Sequence, residues 1–191
     1  MRQTLFATLA GLALLGTAAS PAAADNNFEI GGFVGAHIFN DNNELGVDDL
    51  DNAITPKNSL ALGVRLGYAF NPLLSVEGEL AVMPTSTRED NAVPVTVFGW
   101  RAHALVHFTE GRIRPFATLG IGALTSSPRD QTSIRTDTDA VFHGGVGLKF
   151  QVEDNWGVRA DARILLPPST ANEFLTTDWE FLVGLYKTFP R

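Results

Sequence analysis

Between Leu60 and Phe70 the chain alternates without a break between two kinds of residue. Leu60, Leu62, Val64, Leu66, Tyr68 and Phe70 fall on one side, and Ala61, Gly63, Arg65, Gly67 and Ala69 on the other. A period of two requires a strand, because successive side chains point to opposite faces. The first face is apolar. The second is nearly bare yet carries an arginine. A soluble sheet would bury its large apolar face and wet an abundantly polar one. A small, sparsely charged second face instead suits a narrow closed barrel with lipid outside and packed polar residues within.

The same alternation recurs along the chain and gives eight strands. They read as Phe28–Phe39, Leu60–Phe70, Leu73–Met83, Val95–Phe108, Ile113–Leu124, Asp139–Val152, Trp156–Leu166 and Asp178–Phe189. Asn71-Pro72, Thr109–Arg112 and Glu153–Asn155 make short turns, with proline kept out of the ladder. The other connections, Asn40–Asn58, Pro84–Pro94, Thr125–Thr138 and Pro167–Thr177, are long and polar. Long loops alternating with tight turns are the asymmetry of an outer-membrane barrel. Phe70, Phe108, Phe150, Trp156 and Phe189 cluster at the ends that meet the short turns, as an interfacial girdle would. The expected fold is all-β: an eight-stranded, antiparallel, up-and-down transmembrane β-barrel.

The start of the chain agrees with export. Arg2, the apolar run Leu5–Leu15 and Pro21-Ala-Ala-Ala24 read as a secretory signal peptide over residues 1–24, cleaved before Asp25, with the barrel domain over 25–191. The apolar run is too short for a membrane-spanning helix, and no later run of about 18 apolar residues exists. An exported chain with no cysteine must hold together without disulfides, and a closed barrel with no free edge does so. A net charge of −7 argues against nucleic acid and against docking on anionic lipid through surface charge.

Arg114-Pro-Phe-Ala-Thr-Leu-Gly-Ile-Gly-Ala123 resembles the fifth strand of OmpA-like transmembrane barrels. Val141–Phe150, the turn Glu153-Asp-Asn-Trp156 and Val158-Arg-Ala-Asp-Ala-Arg163 resemble the two strands that follow. The likeness covers essentially the whole mature chain and implies an integral outer-membrane protein, without cofactor, in contact with outer-membrane lipid and lipopolysaccharide. It implies folding by the barrel-assembly machinery, which usually reads a final aromatic residue; here Phe189 is followed by Pro190-Arg191. The peptidoglycan-binding domain that often follows such barrels is not in the sequence. A monomer is expected.

The inward stripe carries the candidate functional residues. Its cations are Arg65, Arg101, Arg114, Lys149, Arg159 and Arg163; its anions are Glu29, Glu77, Glu79, Asp161 and Glu180. An eight-stranded barrel is only wide enough for side chains, so these near-balanced charges read as an ion-paired plug, against the alternative of a selective pore. His37, His103, His107 and His143 also face inward and read as polar filler bonded to carboxylates. Lys187 is the one charge placed on the lipid side, near a strand end from which it can snorkel.

Catalysis finds little support: no histidine stands two residues before a serine, and no G-x-S-x-G elbow occurs. The first loop, Asp41–Asn52, holds five acids, and Asp41, Asn43, Asp48, Asp49 and Asp51 are candidate oxygen ligands for calcium. The match to a calcium loop is degenerate, since Leu45 offers no oxygen at the fifth position and Asn52 replaces the bidentate glutamate at the twelfth. A solvated acidic loop is the plainer reading. Calcium could also bridge it to lipopolysaccharide, whose phosphates Arg88, Arg129 and Arg135 could meet directly. The function expected is a structural envelope role with surface-exposed loops. The alternatives are a small pore, an adhesin-type barrel, or a soluble periplasmic ligand-binding barrel.

Overall fold

A computed structural model of the 191-residue chain describes residues 27–41, 45, 56–88, 92–129, 136–167 and 176–189. The proposed signal segment therefore lies outside the described residues. Eight strands, β1 (Asn27–Ile38), β2 (Ser59–Ala69), β3 (Leu74–Ser86), β4 (Pro94–His107), β5 (Ile113–Pro128), β6 (Asp137–Gln151), β7 (Trp156–Leu166) and β8 (Asp178–Phe189), close in sequence order into one barrel. Every pairing is antiparallel, and β1 meets β8 from Phe28↔Phe189 to Ile38↔Trp179, so no edge is left open.

The alternation seen in the sequence sets the two faces. Leu60, Leu62, Val64 and Leu66 point outward and are exposed, while Ala61 and Arg65 point inward and are buried. A soluble protein would not present such a band of Leu, Val, Ile and Phe, which continues through Leu119, Ile121, Phe142, Val146, Phe181 and Leu185. Only a hydrocarbon surround makes that exposure favourable.

The short turns have local causes. The Asn71 side-chain oxygen accepts bonds from the backbone N–H of Leu73 and Leu74 at 2.9 and 2.8 Å, which closes the β2–β3 connection. The β4–β5 turn is made by Gly111 at φ 117°, a left-handed conformation that costs glycine little.

Two of the long connections are shorter than the composition suggests. β3 continues to Ser86, β5 to Pro128, and β6 begins at Asp137. These Ser- and Thr-rich ends are strand rather than loop, because β3 to β6 rise beyond the apolar band. Thr96, Thr125, Ser127 and Thr138 face outward there, and the Thr125 and Thr138 hydroxyls bond across the β5–β6 pair at 3.0 Å.

The interior is layered. At the long-loop end it is largely apolar: Phe39, Leu45, Met83, Val97, Leu124, Leu165 and Leu182 form one buried cluster with Phe33 and Val141, beside the buried His37 and Asp178. The inward stripe is thus less uniformly polar than its sequence suggests. The charged residues occupy the middle, and His107, Arg114, Phe116 and Tyr186 the short-turn end.

Candidate functional site

The barrel interior gathers the charged residues through strand register. Arg65 on β2 stands opposite Glu79 on β3, which stands opposite Arg101 on β4; Arg163 on β7 stands opposite Glu180 on β8. Each is a cross-strand neighbour, the unit through which sheets place charges in contact. Glu79 is the hub. Its carboxylate accepts from Arg65 Nε at 2.6 Å, lies 2.8 Å from Arg101 Nη2, and accepts from Arg163 Nη1 at 3.0 Å.

A second hub lies toward the short turns. Lys149 and Arg159 face one another across β6 and β7, a like-charge pair that would be unfavourable alone. Glu77 reaches from β3 and holds both, accepting from Arg159 at 2.7 Å and from Lys149 at 3.2 Å. Lys149 also donates to Glu29 at 2.6 Å. Asp161, two residues from both Arg159 and Arg163 on one face of β7, accepts from each and from Arg65 at 3.2 Å.

These contacts measure the lumen. β3 and β7 are four strands apart in an eight-stranded ring, so they stand on opposite walls. Glu77 and Glu79 nonetheless touch Arg159 and Arg163 directly. Side chains from facing walls meet, and the charged layer fills the cross-section. Ten of the eleven charged residues expected inside are joined in this way. Arg114 is the eleventh; it reaches no carboxylate among the described residues. It lines a small chamber of about 160 Å³ at the short-turn end, with His107, Ser75, Asn27 and the Lys149–Glu29 pair.

The histidines divide. His37 lies between Asp178 and Glu180 at 3.3 and 3.2 Å, and His103 meets Glu77 at 3.0 Å. Among the described residues His107 and His143 contact no carboxylate, contrary to the expected filler role. His143 instead packs edge-on against His103, with ring centroids 5.2 Å apart. The two rings come together because Gly120 lies between them on β5, where any Cβ would strike the His143 Nε2 and the Ala102 carbonyl. Histidine spacing along β4 could not reveal this neighbour from β6. Asp178 was likewise not singled out by the sequence; besides His37 it accepts from the Asn40 backbone N–H at 2.8 Å and ties β8 to the start of the first loop.

At the long-loop rim, Arg88 is a clasp. Its guanidinium donates to the Asp41 carboxylate, to the Phe39 carbonyl at 2.9 Å and to the Pro56 carbonyl at 3.0 Å. Thr87 pairs with Pro56 in an isolated bridge beside it. The two ends of the first loop are thereby fastened to the β3–β4 connection, and Asp41 serves this clasp. Of the other candidate calcium ligands, Asn43, Asp48, Asp49 and Asp51 lie outside the described residues, as does Arg135. Arg129 is fixed through its backbone N–H to the Pro94 carbonyl at 2.9 Å.

Comparison with known proteins agrees with this architecture. The family described as the outer membrane protein beta-barrel domain matches residues 7–186. No curated protein matches the chain. Among solved structures, Neisserial surface protein A is 13% identical and superposes with a TM-score of 0.63 over 85% of this chain and 97% of that one. The outer membrane protein OprG of Pseudomonas aeruginosa, also 13% identical, gives 0.62 over 88% and 98%. Ail, the attachment invasion locus protein of Yersinia pestis, solved with the heparin analogue sucrose octasulfate, is 17% identical and gives 0.53 over 86% and 99%. At these identities the likeness is one of fold.

Proposed function

Since this chain belongs to the outer membrane protein beta-barrel family and so has its place in the outer membrane, we propose that it is a non-enzymatic, pore-free anchor of the cell envelope. It carries its long loops outside and its short turns in the periplasm. It is exported through a signal peptide cleaved before Asp25, inserted by the barrel-assembly machinery, and monomeric among outer-membrane lipid and lipopolysaccharide.

The observation that carries this reading is the meeting of opposite walls. Glu77–Arg159 and Glu79–Arg163 contacts at 2.7 and 3.0 Å span the lumen, and the apolar cluster around Phe39, Met83 and Leu182 fills the end above them. A hydrated ion would have to displace both layers. Water would need to separate ion pairs that lie within a few per cent of complete burial.

Purified protein in planar bilayers tests this. The expected record is flat, with no reproducible conductance steps. Regular steps from the parent protein would overturn the proposal in favour of a pore. Membrane fractionation with protease added to whole cells tests the topology, with cuts expected only in the four long connections.

A further inference from the structure

Among the described strand residues, every outward side chain is uncharged except Lys187. It sits at the short-turn end of β8, opposite Trp156 on β7 and Ile30 on β1. Its ammonium lies 5.2 Å from the ring centroids of both Trp156 and Phe189. No carboxylate lies within ion-pair distance among the described residues. Two aromatic faces thus hold a cation at the edge of the apolar band, leaving its remaining N–H donors for an anion from outside.

The wall beside it is indented. Gly32 faces outward on β1 between Val64 of β2 and Leu185 of β8, where every other β1 outward position carries a side chain. The result is an apolar groove of about 630 Å³. It begins at Lys187 and Trp156 and runs past Leu185 and Gly32 to Val34 and Val183. From Lys187 to Val183 is roughly 13 Å along the strand. One end of the groove is cationic and interfacial; the rest lies at hydrocarbon depth. That is the charge and shape complement of an anionic headgroup joined to an acyl chain.

We propose that this groove is a binding site for one anionic phospholipid of the periplasmic leaflet, its phosphate on Lys187 and one acyl chain laid over Gly32. The leaflet rests on the orientation given under Proposed function; the site itself does not. Lys187 supplies the electrostatic contact and the two rings fix its position. The notch supplies close packing that a smooth wall denies to other surrounding lipids.

The test counts lipid by native mass spectrometry of the full barrel, released from nanodiscs of phosphatidylcholine doped with phosphatidylglycerol. One phosphatidylglycerol should remain on the parent barrel in preference to phosphatidylcholine. Lys187→Gln should lower that retention roughly fivefold, the factor expected for one basic residue near anionic headgroups. Gly32→Leu should lower it comparably by filling the groove. It should not impair folding, since a Cβ there meets only the Gly63 carbonyl at 3.8 Å. Gly144→Leu, on the lipid face of β6 with equally ordinary contacts at 3.6 Å, should leave retention unchanged. Unchanged retention in Gly32→Leu or Lys187→Gln, or an equal loss in Gly144→Leu, would overturn the site. Orientation is read separately by protease on whole cells. Cuts in the short turns by protease added outside would overturn the leaflet assignment and leave the retention data standing.

Discussion

Replacing Glu79 by glutamine removes one charge from the centre of the barrel without changing its shape. The parent carboxylate serves three guanidinium groups, at 2.6 Å from Arg65, 2.8 Å from Arg101 and 3.0 Å from Arg163. Each charge-assisted contact is worth about 1.5–3 kcal/mol in net terms. The glutamine carbonyl can keep one of them, so two are lost. Arg65 and Arg163 still have Asp161, and Arg101 still has Glu180 at 2.8 Å, which limits the damage. The expected loss is about 3–5 kcal/mol, the usual range for breaking a buried ion pair on one side. Urea titration of the folded barrel in lipid vesicles, followed by its shifted gel mobility, reads this as a lower midpoint at unchanged slope. Adding Arg163→Met should recover part of the loss, because the surplus cation goes with it and the pair is coupled. A Glu79→Gln barrel within about 1 kcal/mol of the parent, or a double variant as unstable as the sum of its parts, would refute the reasoning.

Other outcomes follow from the same structure. Phe39→Ala should destabilise the barrel by about 3–5 kcal/mol, because Phe39 is 1% exposed in the apolar cap and its removal leaves a cavity; urea midpoints check this. Arg88→Ala should cost about 1–2 kcal/mol. It should also speed proteolysis between residues 41 and 58, since it frees both ends of the first loop from the β3–β4 connection. Gly120→Val should prevent stable closure, because its side chain would collide with the Ala102 carbonyl and both His103 and His143; the assay is loss of the heat-modifiable band.

The fold was legible because lipid leaves the chain little choice. On β2, β7 and β8 the outward residues are apolar without exception until Lys187, so strand limits read from alternation agree with the structure within a residue. Where the wall leaves the apolar band, that signal disappears. Thr125, Ser127 and Thr138 look like loop residues, yet polar side chains are what a strand facing water requires. The interior was harder for the opposite reason. Phe33, Val97, Leu124 and Leu182 are apolar residues on the inward stripe of strands that are apolar outside as well, so alternation is locally lost. Their meeting depends on barrel curvature, which sequence spacing does not report. The same holds for Arg114, whose charge was visible but whose position beside a chamber rather than a carboxylate was not.

The face of each strand that meets hydrocarbon decides between a membrane barrel and a soluble one. The chain has no cysteine, so a single one can be placed at will for spin labelling. Labels at Leu62 and Val146, outward and 47% and 60% exposed, should relax with dissolved oxygen in lipid vesicles and ignore a water-soluble nickel quencher. Quenching of either label by aqueous nickel would put the apolar stripe in water and contradict the barrel as described.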